Sequence, residues 1–211
     1  ARFLILGSAS PALIQKSSES LAGRLEMIEL TPFSTNEIFV KKDLQKKHWL
    51  RGGFPLSLLA KTEADSSVWR KNFVRTFIER DVPMMGLGAT PALLGRFWHM
   101  LAHYHGNIWN AAEMGRSLGI NETTARRYLD LLSGTFMVRQ LKPYHANLGK
   151  RQVKSPKSYI RDTGLFHTLI GIEGSRELQT HPKIGASYEG YAVEELLRLK
   201  QYTEAYFWAT Q

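Results

Sequence analysis

The spacing of apolar positions changes several times along the chain. Phe3, Leu4, Ile5 and Leu6 form an unbroken apolar run closed by Gly7-Ser8, which predicts a strand buried on both faces of a parallel sheet. A helix is expected from Pro11 to Leu21, with Pro11 at a helix start, where its missing N–H has no helical partner to lose. Arg24 to Leu30 alternates apolar and charged residues and predicts a second strand, ended by Thr31-Pro32. Strand, helix and strand make a piece of an α/β sheet, too small to stand alone.

From Ser34 the period becomes helical. Ser34 and Glu37 have capping-box spacing, and Arg51-Gly52-Gly53-Phe54-Pro55 interrupts the chain. Val68 to Val82 predicts an amphipathic helix, with Trp69, Phe73 and Phe77 at i+4 steps and Val74 and Ile78 beside them. A loop is expected over Met84 to Pro91, then a helix from Leu93 to His105 with Leu94, Phe97 or Trp98, and Leu101 on one side.

The next segment predicts a helix from Asn110 to Leu118, a turn at Gly119, and a second helix from Glu122 to Leu132 capped by Asn121. Gly115 and Ala125 are small enough for the two helices to approach closely, and Ile120, Ala125, Tyr128 or Leu129, and Leu132 supply the buried side. Residues 136–144 and 157–162 are expected to pair as strands. Helix, helix–turn–helix and hairpin follow one another in the order of a winged helix. A last helix is expected from Ser187 to Lys200, with Tyr188, Ala192, Leu196 and Leu199 on one stripe.

Composition narrows the function classes. The 211 residues are 43% hydrophobic and 22% charged, enough for one large domain or a few small ones with real cores. No apolar run approaches the roughly 18–20 residues that span a bilayer, so no membrane role is expected. The chain has no cysteine, which excludes disulfides and thiolate metal sites and fits a cytoplasmic protein. The net charge is +9 and the pI about 9.8, a balance that favours a polyanionic partner. Between Phe136 and Arg161 lie Arg139, Lys142, Lys150, Arg151, Lys154, Lys157 and Arg161 with no Asp or Glu, a window suited to phosphate.

Candidate chemistry centres on that region. The expected exposed side of the second helix carries Thr123, Thr124, Arg126 and Arg127, groups that bond phosphates and base edges. Lys150, Arg151, Lys154 and Lys157, interleaved with Tyr144 and Tyr159, suit a wing laid on a nucleic-acid backbone. The competing readings are a packed helical corner with solvated arginines and a basic interface to an acidic partner. His99 and His103 stand at i and i+4, but no HExxH pattern or third ligand accompanies them, so no metal site is expected. Glu189, Glu194 and Glu195 read as solvated acids balancing Arg198 and Lys200. The chain lacks a Walker A loop and a GxSxG elbow. Residue 1 is Ala, and both ends read as interior to a longer protein.

Seven segments in order, "LILGSAS", "SLAGRLEMIELTPFSTNEI", "RGGFP", "FIERDV", "LGINETTARRYLDLLSGTFMVRQLKPY", "KSPKSYIRDTGLFHTLIG" and "GASYEGYAVEELL", resemble a large prokaryotic family of AAA-type P-loop ATPases with a C-terminal domain of unknown function, built from a winged helix and a restriction-endonuclease-like fold. The resemblance covers essentially the whole chain. It implies a mainly α fold with α/β ends: a remnant of the ATPase sheet over 1–33, a helical lid over 34–90, a winged helix-turn-helix over 91–165 and the start of a PD-(D/E)xK-like domain over 166–211.

In that resemblance Walker A and Walker B are missing from the front of the chain. Ser8 would be the sensor residue beside the γ-phosphate, Arg24 would contact phosphate or a partner subunit in the manner of an arginine finger, or else form a structural ion pair, and Arg51 with its glycines would start the lid. Glu189 would match the acidic residue of the nuclease-like helix, with the Asp and Glu-x-Lys beyond Gln211, so no cleavage is expected of this chain. ATP and Mg would belong to the parent protein and neither to this chain alone. The expected partners are nucleic acid and possible protein partners or further copies of the chain. The alternatives are a non-enzymatic DNA-binding regulator and a protein-interaction scaffold.

Overall fold

Capping chemistry sets where most helices begin. The computed structural model describes residues 26, 28–38, 42–84, 90–144, 155–200 and 204–208. Its elements are α1 (Thr35–Ile38), α2 (Lys42–Arg51), α3 (Pro55–Leu58), α4 (Glu63–Thr76), α5 (Pro91–His103), α6 (Ala111–Leu118), α7 (Glu122–Gly134), β1 (Val138–Pro143), β2 (Lys157–Ile160), α8 (Thr163–Leu169), α9 (Ser175–Thr180), α10 (Ile184–Lys200) and β3 (Tyr206–Phe207). The fold is mainly helical with one small mixed sheet. Side-chain oxygens of Thr62, Thr90, Asn110, Asn121 and Asp162 each accept a backbone N–H of the first turn that follows. The Ser34–Glu37 box also forms: the Ser34 N–H donates to Glu37 Oε2 at 2.8 Å.

α4 starts at Glu63, five residues before the expected Val68, because Thr62 caps the Asp65 N–H at 3.0 Å. The expected aromatic ladder is present. Trp69 stacks on Phe73 at 5.3 Å and Phe73 on Phe77 at 6.3 Å. The helix then widens into a π-helical turn at Phe77–Asp81 before closing as Val82–Met84. Phe77, Ile78 and Val82 all reach the core.

That core is centred on α5, where Leu94, Phe97, Trp98, Leu101 and Ala102 are buried together. α6 and α7 close over it through Met114, Ala125, Leu129 and Leu132. Gly119 ends α6 in the left-handed region at φ 68°, a conformation glycine reaches without steric penalty. A Cβ on Gly115 would stand 2.7 Å from the Ile120 carbonyl oxygen, so the turn packs against α6 only because that position is glycine.

β1 pairs antiparallel with β2, Val138 opposite Ile160 and Leu141 opposite Lys157, as the sequence predicts. β3 adds to the other edge of β1 in parallel, giving the order β2-β1-β3. The expected first strand and the helix from Pro11 to Leu21 lie outside the described residues, as do most of the 84–91 loop and residues 145–154. Of the expected second strand, Glu26, Ile28, Glu29 and Leu30 are described and form no strand. Ile28 and Leu30 are exposed, and no strand among the described residues pairs with this segment.

α10 reverses its expected polarity. Tyr188, Leu196 and Leu199 of the apolar stripe are exposed, and Ser187, Gly190, Glu194 and Glu195 face inward. The surfaces beneath α10 present hydrogen-bonding groups: Ser187 Oγ meets His167 Nε2 at 2.7 Å and accepts the Trp49 Nε1–H at 2.9 Å. Gly190 lies so close to His105 that an added Cβ would stand 2.3 Å from Nε2. Replacing Gly190 with Ala is expected to destabilise the fold by about 1–3 kcal/mol through overpacking. Gly185→Ala, where nothing lies within 4 Å of the new Cβ, is expected to be neutral or slightly stabilising. Urea denaturation of both variants measures the difference.

Candidate functional site

The exposed side of α7 follows from its burial pattern. Ala125, Tyr128, Leu129 and Leu132 turn inward, leaving Glu122, Thr123, Arg126 and Arg127 outward and Thr124 half-buried. The Arg126 guanidinium lies over the Trp109 ring, 5.8 Å from its centroid. The Trp109 backbone N–H in turn donates to the Pro156 carbonyl at 2.9 Å, at the foot of β2. Arg126 therefore adjoins the end of the hairpin that carries Lys157. Arg126 and Arg127 are not buried against the preceding helices.

The basic window is partly neutralised in space. α10 supplies the acids that the window's own sequence lacks. The Glu194 carboxylate, buried, accepts from Arg139 Nε, from Arg139 Nη2 at 3.0 Å and from Arg161 Nε at 3.1 Å. Burial pushes the Glu194 carboxyl up, but hydrogen bonding by Arg139 and the charges of Arg161 and Arg198 outweigh it and hold the group below its ordinary value. Arg161 also reaches Glu29 at 2.6 Å. Lys157 pairs with Glu189 at 3.2 Å. Tyr159, expected on the binding surface, is buried and donates its hydroxyl to Glu189 Oε1 at 2.6 Å. Lys142 remains exposed, whereas Lys150, Arg151 and Lys154 lie outside the described residues.

Glu194 and Glu195 are thus not solvated acids. Glu195 is buried and accepts from the Thr35 N–H at 2.7 Å and from Arg198 Nη1 at 2.9 Å. Glu189 is half-exposed and held by Tyr159 and Lys157. No group of three or more His, Asp or Glu able to hold a metal ion occurs among the described residues. His99 Nδ1 contacts the Leu169 carbonyl at 2.8 Å and His103 is exposed, so the two act separately. Ser8 and Arg24 lie outside the described residues.

A second polar cluster, unforeseen in the sequence, joins the Arg51-Gly52-Gly53 break to Asp162-Thr163-Gly164. Asp162 Oδ1 accepts the Leu165 N–H at 2.9 Å and Oδ2 the Gly53 N–H at 2.8 Å. Burial pushes the Asp162 carboxyl up, opposed by those two N–H donors and by the charges of Arg198 and His48. A Cβ on Gly164 would meet the Arg51 carbonyl at 2.1 Å. Arg51 donates to the Ala60 carbonyl at 2.7 Å, and Arg70 donates to Thr168 Oγ1 at 2.9 Å and Ser66 Oγ at 2.5 Å. The gap beside Asp162, Glu194, Glu195 and Arg198 is about 10 Å³. That is room for about one water molecule, so the cluster is a brace, not a ligand chamber.

His105 and His167 stand under α10. His105 Nδ1 accepts the Ile160 N–H at 3.0 Å. His167 donates Nδ1–H to the Leu50 carbonyl at 2.9 Å and accepts at Nε2 from Ser187. Both rings therefore use one nitrogen as an acceptor and are neutral. Burial, then the proximity of His167, pushes His105 down to about 3, and burial above all pushes His167 down to about 4.

The chain belongs to the family described as Domain of unknown function (DUF8612), whose model matches residues 42–176. That span holds the helix-turn-helix, the hairpin and both halves of the Asp162 brace, and it stops before α10. The chain is 50% identical over its full 211 residues to the uncharacterized protein Mb2031c of Mycobacterium bovis and to the uncharacterized protein Rv2008c of Mycobacterium tuberculosis. It spans 47% of the length of each, about half of these relatives. No solved structure matches it. No helix among the described residues is long and apolar enough to cross a membrane.

The buried ionisable groups carry two expected outcomes. Glu194→Gln leaves Arg139 without its paired carboxylate and Arg161 with Glu29 alone, and is expected to cost about 3 kcal/mol of stability, read from the urea midpoint. The unfolded chain binds protons on His105 and His167 near pH 6.5, whereas the folded chain binds them only near pH 3 and 4. Their contribution is therefore fully present above about pH 6.5 and is lost as pH falls towards those lower values. Urea midpoints measured between pH 7 and pH 4.5 should fall, and His167→Gln should flatten that slope.

Proposed function

We propose that the chain is the part of a cytoplasmic AAA-type P-loop ATPase that follows the nucleotide-binding motifs, and that its winged helix contacts nucleic acid. In this reading 1–33 ends the ATPase sheet, 34–90 is a helical lid, 91–165 is the winged helix and 166–211 begins a nuclease-like domain. The observation that carries the nucleic-acid part is the α6–Gly119–α7 turn followed by the β1–β2 hairpin, with Thr123, Arg126 and Arg127 exposed on α7. The second helix of such a unit commonly enters the major groove while the hairpin lies on the backbone. The net charge of +9 favours the same partner.

The ATPase part rests on the ordered segments of the resemblance. ATP and Mg would be held by the parent protein, since this chain has no GxxxxGK[ST] cradle, and Ser8 and Arg24 are the residues the resemblance offers as sensor and finger. A second reading, a protein-interaction scaffold, is favoured by the pairing of Arg139, Arg161 and Lys157 with glutamates of α10, which spends part of the basic window inside the chain. A stand-alone DNA-binding regulator would share the α7 surface without the ATPase.

Fluorescence anisotropy with a labelled DNA duplex tests the first reading. The Arg126→Ala/Arg127→Ala pair is expected to weaken binding and to reduce the dependence of log K on log salt by about one for each phosphate no longer neutralised. Unchanged affinity and slope would remove α7 from the interface and favour the scaffold. Isothermal titration of the 211-residue chain with Mg-ATP is expected to give no micromolar binding, and micromolar affinity would overturn the assignment of the nucleotide site to the rest of the parent protein.

A further inference from the structure

The parallel register of β1 and β3 sorts their side chains onto two faces. Lys142 stands opposite Tyr206 and Pro143 opposite Phe207. Side chains alternate along a strand, so Leu141, Pro143 and Phe207 share the buried face. Lys142, Tyr144, Tyr206 and Trp208 share the other. The Tyr144 N–H donates to the Phe207 carbonyl at 2.7 Å and fixes that alignment.

Three aromatics stand exposed on this face: Tyr144 at 50%, Tyr206 at 47% and Trp208 at 68%. Tyr144 stacks on Trp208 with centroids 5.5 Å apart and planes 26° off parallel, and meets Tyr206 edge-on at 6.1 Å. The three rings thus form one contiguous exposed aromatic surface. Lys142 lies on the same face, exposed, and forms no ion pair with any of the described residues. Lys157, on β2, lies over the Phe207 ring at 5.6 Å. The acid at the edge, Glu204, accepts the Tyr206 hydroxyl at 2.9 Å.

We propose that this face is a stacking platform for unpaired bases of single-stranded DNA, with Lys142 on the neighbouring phosphate. The proposal rests on the nucleic-acid reading above and narrows its ligand. A base in a duplex keeps both faces covered by its neighbours, whereas an unpaired base can lay one face on Trp208. Aromatic planes beside a cation, on a pleated surface of a basic protein, are the groups that bind single strands without reading sequence. The α7 surface and this face then serve different parts of one substrate, the duplex and the strand that leaves it.

The test uses the full 211-residue chain and fluorescein-labelled oligo-dT, which forms no pairs. Trp208→Ala and Tyr144→Ala are each expected to weaken oligo-dT binding roughly fivefold to a hundredfold. Their salt dependence should stay unchanged, because neither removes a charge. Trp208→Phe should restore most of the affinity, and Lys142→Ala should lower the salt slope by about 0.7. All of these side chains are at the surface, and circular dichroism confirms that each variant is folded. Absence of oligo-dT binding by the unmodified chain, or equal affinity in Trp208→Ala and Tyr144→Ala to that of the unmodified chain, overturns the proposal. Arg126→Ala/Arg127→Ala keeps the two readings apart: it should reduce duplex binding and spare oligo-dT, whereas Trp208→Ala should do the reverse.

Discussion

The carboxylate of Asp162 is buried, caps α8 and holds the Gly53 N–H of the chain break after α2. One side chain thereby ties two segments more than a hundred residues apart. Because the acceptor is removed from water, it must keep both donors, and unmet buried polar groups are expensive. Glycines at 52, 53 and 164 line this junction, facing the Asp162 carboxylate, the Phe33 carbonyl and the Arg51 carbonyl respectively. Each admits a neighbour where a Cβ would collide, and Gly52 also takes φ 75°. α8 is buried along nearly its whole length, so the helices before it and α10 after it are positioned against a segment that Asp162 starts.

Electrostatics divide the hairpin into an inner and an outer part. Arg139 and Arg161 meet Glu194 inside, where removal from water strengthens the pairing and makes it hard to break. Lys142 faces out on β1. The run of basic residues in the sequence is therefore a smaller field at the surface. α7 keeps its own cations outward, with Arg126 oriented by the Trp109 ring.

Much of the helical architecture was legible because it depends on local chemistry. Asn110, Gly119 and Asn121 announce the turn, and the i+4 aromatics of α4 announce its buried side. The hairpin was legible as two segments, 136–144 and 157–162, that follow the second helix in the order of a winged helix. What failed was anything decided by distant partners. The stripe of Tyr188, Leu196 and Leu199 has helical spacing, but its helix is held by Ser187, Gly190 and Glu194, whose partners lie on α2, α8, β1 and the turn after α5. Glu194 and Glu195 look like surface acids in sequence because nothing nearby says that Arg139, Arg161 and Thr35 will converge on them. Asp162 did carry a local sign, an Asp directly before a helical run. Tyr206 and Trp208 gained their meaning only from the parallel pairing with β1.

The widened turn at Phe77–Asp81 has a bearing on how this segment tolerates changes in length. A π-helical turn holds one residue more than the regular helix would need over the same rise. Excising a single residue there would let α4 run on as an ordinary helix with nearly the same rise and phase, whereas inserting one more would rotate everything after it by roughly 100° about the axis. After such an excision Val82 would keep its place in the core, and after such an insertion it would swing towards solvent. The extra residue works as slack between two halves of one helix, so this segment, with Glu79 and Arg80 exposed, loses a residue more readily than it gains one.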